Sequence, residues 1–129
     1  MKMALIMTRT INIARNIYND SNLPVTFNEI LMLESIKSGY RTKTEIKNLL
    51  AKDAGAVSRS IDKLLERGLI KKEKSSFKYL LTKESREILK EVDVIRENIM
   101  KESFGDLSEE IAETLKNLEM LTDKLEKFY

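Results

Sequence analysis

The sequence predicts a mainly α-helical fold with one small β-hairpin. Only one Pro and four Gly interrupt its 129 residues, so most of the chain is free to form helices. Apolar residues recur at helical spacing in six segments, and the exception begins after Gly68, where they alternate as in a strand. An apolar content of 42% is enough for a core, and 34% charged residues indicate a polar surface.

Helix start and stop signals divide the first part of the chain. A first helix over residues 1–19 ends before Pro24, since proline cannot extend a helix. The segments Thr26–Glu29 and Thr42–Glu45 match the capping box, in which the Thr hydroxyl and the Glu carboxylate each accept a backbone N–H. The helices that they open carry two sets of inward-facing residues, namely Phe27, Ile30, Leu31, Leu33 and Ile36, and then Ile46, Leu49 and Leu50.

Two short helices, over residues 43–50 and 54–67, are separated only by Ala51-Lys52-Asp53. Asp53 can cap the second helix of this pair, and Gly68 can adopt the left-handed conformation that commonly follows the end of a helix. The inward face of the second helix consists of Val57, Ile61, Leu64 and Leu65.

A β-hairpin follows this helix pair. Its strands are predicted over Leu69–Glu73 and Phe77–Leu81, with Lys74-Ser75-Ser76 as the turn and Lys78 facing solvent. Three helices followed by a β-hairpin define a winged helix-turn-helix, in which the hairpin is the wing. The side chains expected to lie on the helices are those of Phe77, Tyr79 and Leu81.

We interpret residues 1–129 as a single domain, with a winged helix-turn-helix over 26–82 and helical dimerisation regions over 1–22 and 83–129. These flanking regions bear more apolar residues than a monomer can easily cover, which favours a homodimer. An intramolecular bundle packed on the winged helix is the alternative. The residues expected at the dimer interface are Leu5, Ile13, Ile17, Ile111, Leu115, Leu118, Leu121, Leu125 and Phe128.

The net charge of +2 conceals an uneven distribution along the chain. Residues 1–40 carry a net charge of +1, residues 41–83 carry +7, and residues 84–129 carry −6. A basic middle beside an acidic tail indicates one face for a polyanion and another face for a different role.

We call residues 41–83 the basic block. Its helix pair has the properties of a unit that recognises DNA sequence. A tight turn sets the second helix across the first, so that its N-terminal end can enter a major groove. Small residues at Gly55 and Ala56 allow close approach to base edges, while Ser58 and Arg59 can bond to bases or phosphates and Lys63 lies outward. A solvated amphipathic helix is the alternative. The wing adds lysines suited to the backbone or the minor groove, among them Lys72, Lys74 and Lys78.

Composition excludes most catalytic and metal-dependent functions. The chain has no Cys, which removes thiol chemistry and cysteine metal sites, and no His, which removes the usual general base. Glu84, Glu87 and Glu91 interleave with basic residues as a solvated helical face does. No apolar run approaches the roughly 18–20 residues of a membrane helix. The acid-free start of the chain has a transit peptide as its alternative, but we expect a cytoplasmic non-enzyme without cofactors, metals or membrane contacts.

The sequence resembles the multiple-antibiotic-resistance regulator (MarR) family of winged-helix repressors. Leu65–Ile70 looks like the family's link between recognition helix and wing, Leu81–Glu84 like its exit from the wing, and Phe104–Glu110 like the step between its last two helices. The resemblance covers nearly the whole chain in architecture and concentrates in residues 42–82. The chain departs from the family pattern in its shortened wing, which lacks the usual Asp-x-Arg, and at Ser85, where Gly is common.

The resemblance implies a homodimer on a palindromic operator and, in many members, release of DNA by a small phenolic or lipophilic effector. We therefore expect a dimeric, sequence-specific regulator of transcription that binds double-stranded DNA as a repressor. A winged helix for protein interaction and a non-specific architectural DNA-binding protein are the alternatives. Carried onto this chain, the base contacts are Gly55, Ala56, Ser58 and Arg59, and the backbone contacts lie at Thr42, Lys43 and Thr44.

Overall fold

The computed structural model describes residues 2–128, apart from the side chains of Met3 and Ser108. It confirms the predicted fold class, because the helices and one antiparallel hairpin follow each other in the predicted order. A 3₁₀ turn over Gly105–Leu107 separates the last two helices. The elements are α1 (Lys2–Asp20), α2 (Phe27–Lys37), α3 (Lys43–Leu50), α4 (Ala54–Glu66), β1 (Ile70–Lys72), β2 (Tyr79–Leu81), α5 (Lys83–Phe104) and α6 (Ser108–Glu126).

The described residues form two compact units, one ending at Val92 and the other beginning at Asp93. The first unit contains the apolar core, in which each fully buried Leu or Ile contributes about 1.5–3 kcal/mol. In α2 the core includes Met32, which the sequence pattern does not single out, whereas Leu31 is only half-buried. The most deeply buried side chains of the core include Met32, Leu33, Ile36, Ile46, Val57, Ile61, Leu64 and Val92.

The caps predicted at Thr26 and Thr42 are present, with one difference between them, whereas the last helix begins at Ser108 after Leu107 and has no side-chain cap. At α2 the full capping box is present, since Thr26 Oγ1 accepts the Glu29 N–H at 3.3 Å and Glu29 Oε1 accepts the Thr26 N–H at 2.9 Å. At α3 Thr42 Oγ1 accepts the Glu45 N–H at 3.2 Å, but Glu45 Oε1 bonds to the Thr42 hydroxyl at 2.9 Å. The second box is therefore only half formed, because the Glu45 carboxylate accepts a hydrogen bond from the Thr42 hydroxyl and not from the Thr42 backbone N–H.

The α3 helix buries one face only, which corrects the prediction for Leu49. Ile46 is fully buried and Leu50 packs at the edge of the core, whereas Leu49 is 44% exposed. Ile46 and Leu50 are four residues apart and share a face, while Leu49 lies about 100° away from Leu50 around the helix. The core packs against only one side of this eight-residue helix, so the side that carries Leu49 stays exposed.

Ala51 ends α3 in the left-handed conformation, with φ 52° and ψ 42°. Its N–H donates to the Lys47 carbonyl, and the residue is exposed. A side chain with a Cβ in this conformation costs roughly 1–2 kcal/mol. The tight turn between α3 and α4 is therefore strained at Ala51.

Replacing Ala51 by Gly is expected to stabilise the first unit by about 1 kcal/mol, because glycine adopts this conformation without the Cβ penalty. The midpoint of urea unfolding, followed by circular dichroism, measures the change. Ala54→Gly is the matched control, since Ala54 is exposed but helical and should lose up to about 1 kcal/mol. Equal destabilisation by both substitutions would contradict a strained turn at Ala51.

The hairpin is shorter than predicted and corrects the placement of Phe77. Its register pairs Ile70 with Leu81 and Lys72 with Tyr79. Tyr79 and Leu81 are buried as expected, but Phe77 lies beyond the paired strands and is 80% exposed. The alternation ends where the ladder ends, because only the paired part of the hairpin rests on the helices.

Thr82 and Ser85 join the wing to α5. The Thr82 hydroxyl donates to the Gly68 carbonyl at 2.8 Å. The Ser85 hydroxyl is fully buried, accepts the Thr82 N–H at 3.1 Å and donates to the Thr82 carbonyl at 3.0 Å. Ser85 thus supplies a hydrogen bond at the start of α5 that glycine would lack.

The second unit contains the end of α5, the 3₁₀ turn and α6. Most large apolar side chains of α6 are exposed, and Ile111 is half-buried. Five of them, over Ile111–Leu125, fall within an arc of about 120° when the helix advances 100° per residue. We call these five residues the α6 stripe: Ile111, Leu115, Leu118, Leu121 and Leu125.

Candidate nucleic-acid interface

The two sides of α4 differ sharply in polarity. Val57, Ile61 and Leu64 are buried and hold the helix on the core. Arg59 and Lys63 are exposed, together with Gly55. This spacing follows the helical repeat, so the apolar residues that anchor α4 also fix which residues face outward.

Asp53 sets the position of the N-terminus of α4. Its Oδ1 accepts the Ala56 N–H at 2.8 Å, and its carbonyl accepts the Val57 N–H at 3.1 Å. These bonds confirm the predicted cap. The cap and the left-handed Ala51 together define the short turn that holds α4 against α3.

Gly55 leaves room for the Arg59 side chain. A Cβ built on Gly55 would lie 3.2 Å from Arg59 Nη1 and 3.2 Å from Asp53 Oδ1. The guanidinium therefore extends along the outer surface of α4 toward its N-terminal end. Whereas the sequence suggested that the small residue serves an approaching base, in this structure its space is bordered by Arg59 and Asp53.

The other predicted contacts of the helix pair differ in accessibility. Lys43 and Thr44 are exposed at the start of α3, but Thr42 is half-buried and its hydroxyl is engaged with Glu45. Ala56 and Ser58 are half-buried on α4. The residues most open to a ligand are Lys43, Thr44, Gly55, Arg59 and Lys63.

The wing, residues 70–81, is joined to the helix pair through its second strand. The Tyr79 N–H donates to the Arg41 carbonyl at 2.8 Å, on the segment that leads into α3. Lys72, Lys74 and Lys78 are exposed as expected. The ammonium of Lys72 lies 5.0 Å from the centre of the Phe77 ring. A basic hairpin is thus held next to the start of α3.

Two arginines of the basic block have structural roles that the sequence did not reveal. Arg67 Nη1 forms an ion pair with Glu29 Oε2 at 2.5 Å, and Arg67 also donates to the Pro24 carbonyl. Arg41 Nε donates to the Ile36 carbonyl at 3.5 Å. Because Arg67 and Glu29 are 38 residues apart, no local pattern could have paired them.

The described part of the chain shows neither a metal site nor a membrane span. Among residues 2–128, no group of three or more acidic side chains is arranged to hold a metal ion. Within the same range, no helix combines the length and hydropathy that crossing a bilayer requires.

Comparison with known proteins identifies the architecture. A family model described as winged helix-turn-helix matches residues 28–100. No curated protein sequence matches the chain at a significant level.

Solved structures are similar over most of the chain. The reduced form of MarR from E. coli is 22% identical, with a TM-score of 0.66 over 87% of this chain and 90% of that one. Streptococcus pneumoniae FabT in complex with DNA is 20% identical, with a TM-score of 0.69 over 99% and 95% of the two chains. AbfR of Staphylococcus epidermidis is 15% identical, with a TM-score of 0.76 over 99% and 92%. The resemblance to the MarR family is thereby confirmed as a likeness of fold.

Proposed function

The chain belongs to the winged helix-turn-helix family, and from this premise we propose that it is a dimeric regulator of transcription that reads a specific sequence of double-stranded DNA. In this proposal α4 enters the major groove and the lysines of the wing contact the sugar–phosphate backbone. Catalysis has no part in it.

The observation that carries the proposal is the polarity of α4. Its buried side holds the helix on the core, while Arg59 and Lys63 stand on the open side, where the absence of a side chain at Gly55 leaves room for the Arg59 guanidinium. An exposed Arg on a helix in the major groove can bond to both O6 and N7 of guanine, which discriminates against other bases by about 1–3 kcal/mol. A helix that contacts only phosphates does not require an Arg positioned to reach a base edge.

The likeness to a DNA-bound protein supports the same role. FabT, whose chain matches this one over almost its full length, was solved in complex with DNA. The net charge of +7 over residues 41–83 favours a polyanionic ligand at the corresponding surface.

The α6 stripe supports the homodimer. Four of its five side chains are exposed, namely those of Leu115, Leu118, Leu121 and Leu125. An apolar stripe on an amphipathic helix is unfavourable in water and suits a self-complementary, two-fold interface. We assign Phe128 and the predicted residues of α1, which are Leu5, Ile13 and Ile17, to the same dimer.

Two-fold symmetry determines the form of the operator. Two α4 helices of one dimer would reach half-sites about 10–10.5 base pairs apart, or a multiple of that spacing. The site is therefore an inverted repeat. We propose that the dimer binds over a promoter and blocks transcription there, as a repressor in the cytoplasm. Release by a small-molecule effector is part of the resemblance to the MarR family.

Selection from a random duplex pool tests the proposal. Purified protein at about 150 mM salt should enrich an inverted repeat with the half-site spacing given above. The same protein should sediment as a dimer, alone and on that repeat. Enrichment of no sequence would point to a non-specific architectural role, and a monomer without DNA affinity would point to a protein-interaction module.

The lysines of the wing are expected to contribute through phosphates. Replacing Lys72 and Lys74 together by Ala should flatten the slope of log K against log salt by about one unit for each phosphate that the wing no longer neutralises. Affinity should fall equally on the selected and random duplexes, because phosphates carry no base identity. Fluorescence anisotropy titrations at four salt concentrations measure both effects.

The matched control removes two charges elsewhere. Lys90 and Lys101 are exposed on α5, and replacing both by Ala should leave the salt slope unchanged. If the wing variant also keeps the original slope, the wing does not contact the DNA backbone.

A further inference from the structure

The most exposed large apolar side chain of the wing is at its tip. Phe77 is 80% exposed, although the residues that pair in the strands on either side of the turn include buried Ile70 and Tyr79. An isolated exposed apolar residue is common on protein surfaces and by itself implies nothing. The surroundings of Phe77 are what make it informative.

At the tip that carries the Phe77 ring, three exposed lysines outnumber the one exposed carboxylate, that of Glu73. Lys74 and Lys78 are exposed on the same tip, and the Lys72 ammonium lies over the ring at 5.0 Å from its centre. An apolar protein partner would have to desolvate these ammonium groups, which is costly. A nucleic acid offers phosphates for the lysines and apolar base faces for the ring, so it satisfies both kinds of group.

Hydrogen bonds fix the backbone of the tip that carries Phe77. The Glu73 N–H donates to the Lys78 carbonyl at 2.9 Å. Within the turn that this bond closes, the Ser76 hydroxyl donates to Glu73 Oε2 at 2.8 Å and accepts the Lys78 N–H at 3.3 Å. The turn that carries Phe77 is therefore bonded on both sides, and the ring projects from a defined support.

We propose that Phe77 inserts between two stacked base pairs in the minor groove beside each half-site and bends the DNA there. The inference rests on the proposed function, because it requires the wing to lie on DNA. Apolar side chains that enter a base step in this way unstack it and kink the duplex by about 20–90°. On DNA, the Lys72 ammonium leaves the ring and binds a phosphate.

The insertion has a sequence consequence. Pyrimidine–purine steps such as TA and CA are the easiest to unstack. The DNA flanking the half-sites should therefore favour such a step at the position of the wing, even without any hydrogen bond to its bases.

Bending of the selected operator tests the insertion. A duplex of about 50 base pairs, with the selected inverted repeat at its centre and a dye at each end, is measured by resonance energy transfer at saturating protein. The wild type should bend it, and Phe77→Ala should reduce the bend by at least about 20°. Phe77→Ala should also bind about 10-fold more weakly, in the range known for loss of a stacked aromatic ring, and should lose the preference for TA or CA in the flanks.

Two control variants, and the contrary outcome for Phe77→Ala, decide how the measurement is interpreted. Phe77→Leu keeps an apolar wedge and should retain most of the bend. Ser75→Ala alters an exposed polar side chain of the same tip and should behave as the wild type. If Phe77→Ala bends the operator as the wild type does and only flattens the salt slope, the ring merely supports Lys72 and the inference is wrong.

The outcomes also separate this inference from the proposed function. A wild type that selects no sequence overturns both. Wild-type and Phe77→Ala proteins that select the same repeat and the same flanks, with the same bend, overturn only the insertion.

Discussion

Leu118→Asp is expected to raise the dimer dissociation constant by at least about 100-fold, which corresponds to about 2.7 kcal/mol. Leu118 is 39% exposed at the centre of the α6 stripe, with Leu115 and Leu121 on either side of it. A carboxylate there would be desolvated when two copies associate, and a two-fold interface contains the substitution twice. Sedimentation equilibrium measures the change directly.

Loss of the dimer should also weaken operator binding. Two linked half-site contacts exceed one contact by about 10²–10⁴-fold in apparent affinity, so Leu118→Asp should lose most of its affinity for the inverted repeat. Binding to a single half-site at high protein concentration should remain, because α4 belongs to the other compact unit.

Asn117→Asp is the matched control for Leu118→Asp. It adds the same negative charge one residue away, about 100° around the helix from Leu118, on an exposed position. This variant should remain a dimer. A Leu118→Asp protein that still sediments as a dimer would exclude the α6 stripe as the interface.

Arg59→Ala is expected to lower affinity for the selected operator by about 1–3 kcal/mol, which is roughly 5- to 150-fold. Affinity for random duplex should fall much less, because the hydrogen bonds that the variant lacks are those to a base. Because Arg59 is exposed, its truncation should leave the fold intact. Anisotropy titrations on both duplexes give the two affinities.

Arg86→Ala controls for the change in net charge. Arg86 is exposed on α5, and its loss should change both affinities by a similar, small amount. Equal losses on specific and random DNA for Arg59→Ala would show that Arg59 binds a phosphate and does not read a base.

Gly55→Ala refines the same test. The added methyl group would lie 3.2 Å from Arg59 Nη1, so the guanidinium must move by a few tenths of an ångström. The methyl group also lies 3.2 Å from Asp53 Oδ1, which caps α4, but alanine favours helix over glycine, so the stability of α4 should change little while specific affinity falls several-fold. A specific affinity equal to that of the wild type would show that the position of Arg59 does not depend on Gly55.

The element order could be predicted because the local signals agree. The first helix ends at Asp20, ahead of Pro24. Thr26 and Asp53 cap two others, and Gly68, with φ 71°, lies between α4 and the hairpin. Each of these residues acts within a few positions of itself. The helical repeat then identifies the buried side of α4 without any knowledge of its neighbours.

Burial at the ends of elements could not be predicted from periodicity. Phe77 continues the alternation of its strand but lies past the last ladder pair. Leu49 lies beside Ile46, the one fully buried residue of α3, and is itself exposed. Periodicity states which residues share a face. It does not state how far the neighbouring element extends to cover them.

Long-range partners were also invisible in the sequence. Arg67 belongs to the basic block, and its charge suggests a nucleic-acid contact, but in the fold it pairs with Glu29 and the Pro24 carbonyl. Likewise, the contribution of Gly55 to the site depends on where the Arg59 side chain lies. The sequence shows which charged side chains could bind DNA, and tertiary packing decides which of them pair within the protein.

The central claim is that α4 reads base sequence. Its most direct test is competition at about 150 mM salt, in which labelled selected operator bound to the wild-type dimer is displaced by unlabelled selected or random duplex. We expect the selected duplex to compete at least about 10³-fold better than the random one, as for specific DNA-binding proteins in general. Equal competition by both duplexes would contradict the claim and reduce the protein's interaction with DNA to the attraction between lysines and phosphates.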